Sequence, residues 1–261
     1  MKKRYTDKIA PHSLGEVRAE HWANLSRAKI FFGRQSVGYN IIHGIADIAD
    51  QYDQIELNIV ETHAPAQVDR PMLAHARIGR NTDPHSKIES FKNIMNAGLG
   101  QKVDIAFFKF CYVDIMRDSD AQEIFDAYAA AIEGLKLRYS TTKFLHVTVP
   151  LCSMPRGGKK GLKQAVKSLI GIPGVLDDNI MRERYNELLR NAYSQAEPIF
   201  DIALMESTTP NGLKCHAAKR AQNVPVMVPE YSDDGGHLNA RGRKRMAEQL
   251  LIILAGMAGE C

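Results

Sequence analysis

Short apolar runs alternate along this chain with segments in which apolar residues return every three or four positions. The runs are Ala28–Phe32, Ile55–Val60, Val103–Phe110, Phe144–Leu151 and Ile199–Met205. They are rich in Ile, Val, Leu and Phe at consecutive positions, as strands buried on both faces are. The periodic segments are Val37–Asp50, His85–Leu99, Ala121–Arg138, Asp178–Gln195 and Asn239–Gly256. Strand followed by helix, repeated along the chain, predicts βαβ units and a parallel sheet. The expected architecture is an α/β, three-layer αβα sandwich on five parallel strands, with no internal repeat.

Two segments break this rhythm. Cys152–Val175 contains Pro155, Gly157, Gly158, Gly161, Gly171, Pro173 and Gly174, and Ser207–Pro229 contains Pro210, Gly212, Pro225 and Pro229. Each follows a predicted strand, so each should emerge at the carboxyl end of the sheet, where open αβ folds bind ligands. Long loops there are often functional. The first carries Arg156, Lys159, Lys160, Lys163 and Lys167 with no acidic residue, and reads as a basic loop insertion over 152–175. Lys159, Lys160 and Lys163 are candidate contacts for an anionic substrate. The whole of 1–261 reads as one domain, with 1–25 an N-terminal extension.

Composition narrows the classes further. With 261 residues, 44% hydrophobic and 25% charged, the chain has the profile of a folded globular protein rather than a disordered one. Its apolar runs stay far short of the roughly 20 residues of a membrane span, so no integral membrane segment is expected. The net charge of +4 is too small and too evenly spread to imply a nucleic-acid partner. Cys111, Cys152, Cys215 and Cys261 show no metal-ligand spacing, and the nine histidines form no HExxH, so no metal is expected. No cofactor is expected either. Gly157-Gly158-Lys159-Lys160-Gly161 lacks the spacing of a phosphate loop, and Gly98-Leu99-Gly100 precedes a strand instead of following one. The basic start, Met1 to Lys8, leads into no apolar stretch of signal-peptide length. A cytoplasmic location fits, as does export with a leader already removed.

Two short stretches carry candidate chemistry. The first strand runs into Gly33-Arg34-Gln35-Ser36, which puts a serine at the start of the next helix. There a hydroxyl sits on a sharp turn and free N–H groups can stabilise an oxyanion, although serine is also a common helix cap. The second stretch is Asp233-Asp234-Gly235-Gly236-His237, just before the last helix. A carboxylate three residues ahead of a histidine can meet Nδ1–H and leave Nε2 outward as a general base. A glycine-rich turn with acids near a helix start would look the same.

Taken together, a serine after the first strand and Asp-x-x-His before the last helix resemble the SGNH (GDSL-type) hydrolases. The resemblance runs over nearly the whole chain and includes the glycine-bearing segment Ile78-Gly79-Arg80-Asn81-Thr82-Asp83-Pro84. It implies a flavodoxin-like sandwich and hydrolysis or transfer of ester-linked acyl groups. The implied roles are nucleophile for Ser36, base for His237 and orienting acid for Asp234, with oxyanion N–H donors at Ser36 and Gly79. The chain departs from the family pattern in two places. Arg34-Gln35-Ser36 stands where Gly-Asp-Ser is usual. Val113 stands where the family has an oxyanion asparagine, before Asp114. Losing such a donor lowers rate by about 10²–10³ unless it is replaced, and Asn81, Lys109 or Tyr112 are the candidate substitutes. Lys109 and Tyr112 also count as candidate substrate contacts. The expected function is a serine hydrolase acting on a carbohydrate O-acetyl or other short acyl ester, on a small-molecule or carbohydrate substrate. The alternatives are an acyltransferase on the same triad and a catalytically feeble carbohydrate-binding relative.

Overall fold

The computed structural model describes residues 13–155, 174–219 and 222–259. Strands β1 (Lys29–Arg34), β2 (Ile59–Glu61), β3 (Met72–Arg77), β4 (Ile105–Phe108) and β5 (Lys143–Phe144) form one parallel sheet in the order β2-β3-β1-β4-β5. Leu145 alone separates β5 from β6 (His146–Val147), which pairs in parallel with β7 (Ile199–Phe200). That run therefore bonds β4 with its first half and β7 with its second. A two-residue-linked antiparallel hairpin, β8 (His216–Lys219) and β9 (Gln222–Pro225), lies within the second long loop.

The five-stranded parallel sheet is as expected, but one member differs. The run Ile55–Val60 contributes only the partly exposed edge strand β2, whereas β3, which the apolar pattern did not mark, lies next to β1. The reason is composition: Met72–Arg77 reads Met-Leu-Ala-His-Ala-Arg, and its polar His75 is nevertheless buried. Without the edge strand β2, and with β5 and β6 counted as one run beside β7, the order by appearance is second, first, third, fourth, fifth, the flavodoxin-like doubly wound order. Ser36 follows β1, at the point where that order reverses. The other difference is at Ile199–Met205, where β7 stops at Phe200. Asp201 then caps a short helix by accepting from Leu204 N–H.

The helices are α1 (Ala19–Leu25), α2 (Ser36–Ala49), α3 (Pro84–Asn96), α4 (Ala121–Arg138), α5 (Val175–Tyr193), α6 (Ile202–Glu206) and α7 (Ala240–Ala258). Strand residues alternate between two cores. Ile30, Phe32, Leu73, Ile105 and Phe107 meet α1, α2 and α7, while Phe31, Ala74, Ala106 and Phe108 meet α3, α4 and α5. Local signals set the helix starts: Asp83 accepts from Ser86 N–H ahead of Pro84, Asp120 from Gln122 and Glu123 N–H, and Asn239 from Arg241 and Gly242 N–H.

Beyond β6 the backbone is paired by side chains instead of a strand. Val149 N–H donates to Asn186 Oδ1 at 2.7 Å, and Asn186 Nδ2 donates back to Val149 O at 3.1 Å. Asn179 does the same for Cys152, at 3.0 and 2.9 Å, and Leu151 N–H donates to Glu206 Oε2 at 2.8 Å. Asn179, Asn186 and Glu206 are fully buried, each satisfying a backbone that would otherwise be stranded. Ser153 N–H then donates to Gly235 O at 2.9 Å, so this segment also fixes the loop holding Asp234 and His237.

Glu206 Oε1 has no partner among the described residues. Burial, only partly offset by the Leu151 N–H and the charges of Lys109 and Arg182, pushes this carboxyl up to about 8. An acid raised on folding keeps its proton in the fold while the unfolded chain releases it near 4.5, so stability falls as pH rises from there towards 8. Glu206→Gln keeps an acceptor for Leu151 N–H and cannot ionise. Its stability advantage over the parent should therefore grow from about pH 5 to pH 8, reaching roughly 1–3 kcal/mol. Thermal melts across that range check it, and an advantage that does not change with pH would refute the assignment.

Candidate active site

Ser36 is the first residue of α2 and is exposed; the cap position is Gln35, which makes no side-chain capping bond. Instead Gln35 Nε2 donates to Ile78 O at 2.8 Å and Gly79 O at 2.9 Å, tying the start of α2 to the turn after β3. The Ser36 hydroxyl is thus free of capping duty. It lies 3.0 Å from His237 Nε2, across 201 positions of chain.

His237 is held by a turn built around one carboxylate. Asp234 Oδ2 lies 2.7 Å from His237 Nδ1, and Asp234 Oδ1 accepts from the N–H groups of Gly236 and His237, both at 2.8 Å. Partial burial opposes ionisation of Asp234, but the Gly236 N–H, the imidazole and the His237 N–H outweigh it and hold the carboxyl well below the usual range. An ionised Asp234 keeps the proton of neutral His237 on Nδ1 and leaves Nε2 to accept from Ser36. The neighbouring Asp233 is turned away, accepting from Asn239 Nδ2 at 3.0 Å.

Tyr112 stands edge-on to the imidazole, ring centroids 5.7 Å apart. A Cβ at position 236 would come within 2.7 Å of the Tyr112 ring, so only glycine lets the turn approach it. Burial first, then the Cys152 thiol and Asp234, push the Tyr112 hydroxyl up to about 12, so it stays protonated. Beneath it the buried Arg182 guanidinium donates to Tyr112 O at 2.7 Å and to Asn179 Oδ1 at 2.6 Å.

The turns after β3 and β4 flank the end of β1, and a buried carboxylate joins them. Asp114 accepts from Lys87 Nζ, from Cys111 N–H at 2.5 Å and from Thr82 N–H at 2.9 Å. Lys87 also donates to Asn81 Oδ1 at 3.0 Å. Gly79 has φ +51°, and a Cβ there would lie 2.5 Å from Lys87 N. Thr82, at φ 67°, is strained in a way that the Asp114 bond helps to sustain.

The remaining sequence candidates divide. Lys109 does not reach the surface: it is 1% exposed, and its ammonium donates to Phe110 O at 2.9 Å. It is therefore withdrawn as a substrate contact and as an oxyanion donor. Val113 is half-buried, and the Asn81 amide oxygen is already held by Lys87. Lys159, Lys160 and Lys163 lie outside the described residues. Among the described residues no group of three or more His, Cys, Asp or Glu could hold a metal ion. None of the helices described is long and apolar enough to cross a membrane. Sequence reasoning missed Gln35, Lys87 and Arg182. Their types and spacing carry no motif, and only their burial and partners mark them.

The Lys87–Asp114 pair is fully buried on both sides. Removing one member strands the other, which typically costs about 3–5 kcal/mol. Asp114→Ala should lower stability in urea denaturation by that order. A change below about 1 kcal/mol would show the pair to be dispensable for joining the two turns.

No family model matches this chain, and no curated protein matches it in sequence. Among solved structures, one at 14% identity is matched with a TM-score of 0.50, covering 89% of this chain and 98% of its own. A GDSL-like lipase from Bacteroides thetaiotaomicron is 11% identical with a TM-score of 0.49, covering 90% of this chain and 95% of its own. An acetyl xylan esterase is 16% identical with a TM-score of 0.46, covering 85% and 96%. With its doubly wound strand order, parallel central sheet and two helical layers, the chain has an α/β, three-layer αβα fold.

Proposed function

We propose that this protein cleaves ester-linked acyl groups, with Ser36 as nucleophile, His237 as base and Asp234 as orienting acid. The observation that carries the reading is the continuous pair of contacts, Ser36 Oγ to His237 Nε2 at 3.0 Å and His237 Nδ1 to Asp234 Oδ2 at 2.7 Å. In the first step Ser36 Oγ attacks the ester carbonyl carbon while Nε2 takes the hydroxyl proton. Asp234 stabilises the imidazolium without accepting its proton. The N–H groups of Ser36 and Gly79 receive the oxyanion. When the tetrahedral adduct collapses, the imidazolium gives its proton to the leaving alcohol, and an acyl-serine remains. Water, activated by the same imidazole, then releases the acid and restores the serine; a hydroxyl compound in its place would make the reaction a transfer.

The substrate class is a carbohydrate O-acetyl or other short acyl ester. Its support is accessibility: the side chains of His237 and Asp234 are 41% and 58% exposed, and Ser36 is exposed beside them. An ester carried on a bulky alcohol can reach such a site from outside.

Ser36→Ala and His237→Ala should each lower hydrolysis of p-nitrophenyl acetate by at least about 10³-fold, with circular dichroism unchanged. Labelling by a fluorophosphonate should be lost in Ser36→Ala. Retention of most activity or of labelling in that variant would overturn the assignment.

Asp234→Ala should cost far more activity than Asp233→Ala, because only Asp234 meets the imidazole. The reverse ranking would remove Asp234 from the triad.

A further inference from the structure

A second cluster lies beside Ser36, on the side towards the β2 edge, and the triad does not use it. Its centre is Arg34, which is 2% exposed at the end of β1. The guanidinium donates to His75 Nδ1 from Nε at 3.2 Å and from Nη2 at 2.9 Å. It also pairs with Glu61 Oε1 at 2.9 Å, and it lies 4.6 Å from the centroid of the Tyr39 ring. His43 is tilted against Tyr39 at 4.3 Å, and the edge of the His75 ring meets it at 6.4 Å.

The arrangement is rigid for identifiable reasons. Arginine cannot accept, so His75 Nδ1 must be unprotonated and the neutral ring carries its proton on Nε2. Burial, then the Arg34 charge, hold His75 down at about 4, which keeps it in that state. Gly38 leaves the space Arg34 needs, since a Cβ there would lie 2.5 Å from Arg34 Cβ. A guanidinium is expensive to bury, and the apolar core does not call for one here. What Arg34 does is hold two exposed groups at the surface: the Tyr39 ring, 40% exposed, and the Glu61 carboxylate, 56% exposed.

These groups are placed for a ligand at the nucleophile. Positions 36, 39 and 43 of α2 recur at helical spacing, and all three residues are exposed, so Ser36, Tyr39 and His43 share one open face. Tyr39 is one turn from Ser36. A pyranose ring offers C–H bonds on its face to an aromatic ring and hydroxyls at its edge to a carboxylate. Within the cluster Arg34 is matched by Glu61 and His75 is neutral, while the exposed Arg77, opposite Arg34 in the β1–β3 register, adds a positive charge beside it.

We propose that Tyr39 and Glu61, held by Arg34, form a subsite for a pyranose ring that carries the scissile ester. The proposal rests on the reading of Ser36 as nucleophile and narrows the alcohol part of its substrate.

The test uses singly O-acetylated methyl pyranosides of the gluco, galacto, manno and xylo series, whose other hydroxyls are free, with glycerol monoacetate as a ringless ester. The parent protein should favour at least one pyranoside over glycerol monoacetate in kcat/KM. Tyr39→Ala should lower that ratio by at least about tenfold, mainly through KM, while Tyr39→Phe and Tyr39→Trp keep it within about threefold. A ratio unchanged in Tyr39→Ala overturns the proposal, as does an equal loss in Tyr39→Phe and Tyr39→Ala. Calorimetric binding of the same pyranosides to Ser36→Ala, with and without Tyr39→Ala, scores the subsite independently of turnover. Binding that depends on Tyr39 in a protein with no esterase activity would sink the proposed function and leave the subsite. Esterase activity with no Tyr39-dependent preference or binding would do the opposite.

Discussion

A parallel sheet that ends between two layers of helices leaves backbone N–H and C=O groups with no strand to pair them, and the site depends on how this chain resolves that constraint. Buried side chains take the place of the missing strands. Asn186, Glu206 and Asn179 pair the backbone from Val149 to Cys152. Arg182 takes the carbonyl of Tyr112, and Asp114 takes the N–H groups of Cys111 and Thr82. Apart from the Cys111 bond, which closes its own turn, each bond joins a loop at the carboxyl end of the sheet to a helix or to another loop. Because unsatisfied buried groups are costly, these loops have few alternative positions. The 3.0 Å approach of His237 to Ser36 follows from that rigidity, since Ser153 ties the histidine loop to the same network.

The same network separates two carboxyl groups by environment. Asp234 is on the surface, with the Gly236 and His237 N–H groups, the imidazole and the Ser232 hydroxyl donating to it, and stays ionised; Glu206 is fully buried with one donor and is pushed up to about 8. Desolvation acts on both in the same direction, and the number of donors decides the outcome. A charge is therefore kept where it orients an imidazole and removed where it would only destabilise the core.

The fold was largely legible in the sequence. Five helices were readable from periodicity, with Ala121–Arg138 agreeing to the residue, because each has one continuous apolar stripe. β3 was not readable, since the reason a histidine can be buried there is the Arg34 guanidinium 41 positions earlier. Proximity of that kind has no local signature. The approach of Asp234 to His237 was open to sequence reasoning because it depends on a three-residue spacing and two glycines. Gln35, Lys87 and Arg182 were not open to it, because their roles consist entirely of partners distant in the chain. Lys109 is the converse case: beside a chemically suggestive segment it reads as a candidate substrate contact, yet it is buried against its own strand end.

On the proposed reading of Ser36 as nucleophile, Val113 limits what the geometry can deliver. A donor lost from an oxyanion site typically removes about 10²–10³ in rate, and a valine side chain can offer no hydrogen bond. Tyr112 carries a hydroxyl that stays protonated, but its ring lies against the histidine side of the site. Asn81 has its oxygen held by Lys87, which leaves its amide N–H groups as the free end. The turn bearing Asn81 is clamped to the residue before Ser36 through Gln35, and to the Val113 loop through Asp114 and Thr82. Of the three side chains that could replace the asparagine of the hydrolases this chain resembles, Asn81 is thus the one whose free donors and whose anchoring both belong to the loops around the serine. Lys109, bonded inward, is the one the fold removes.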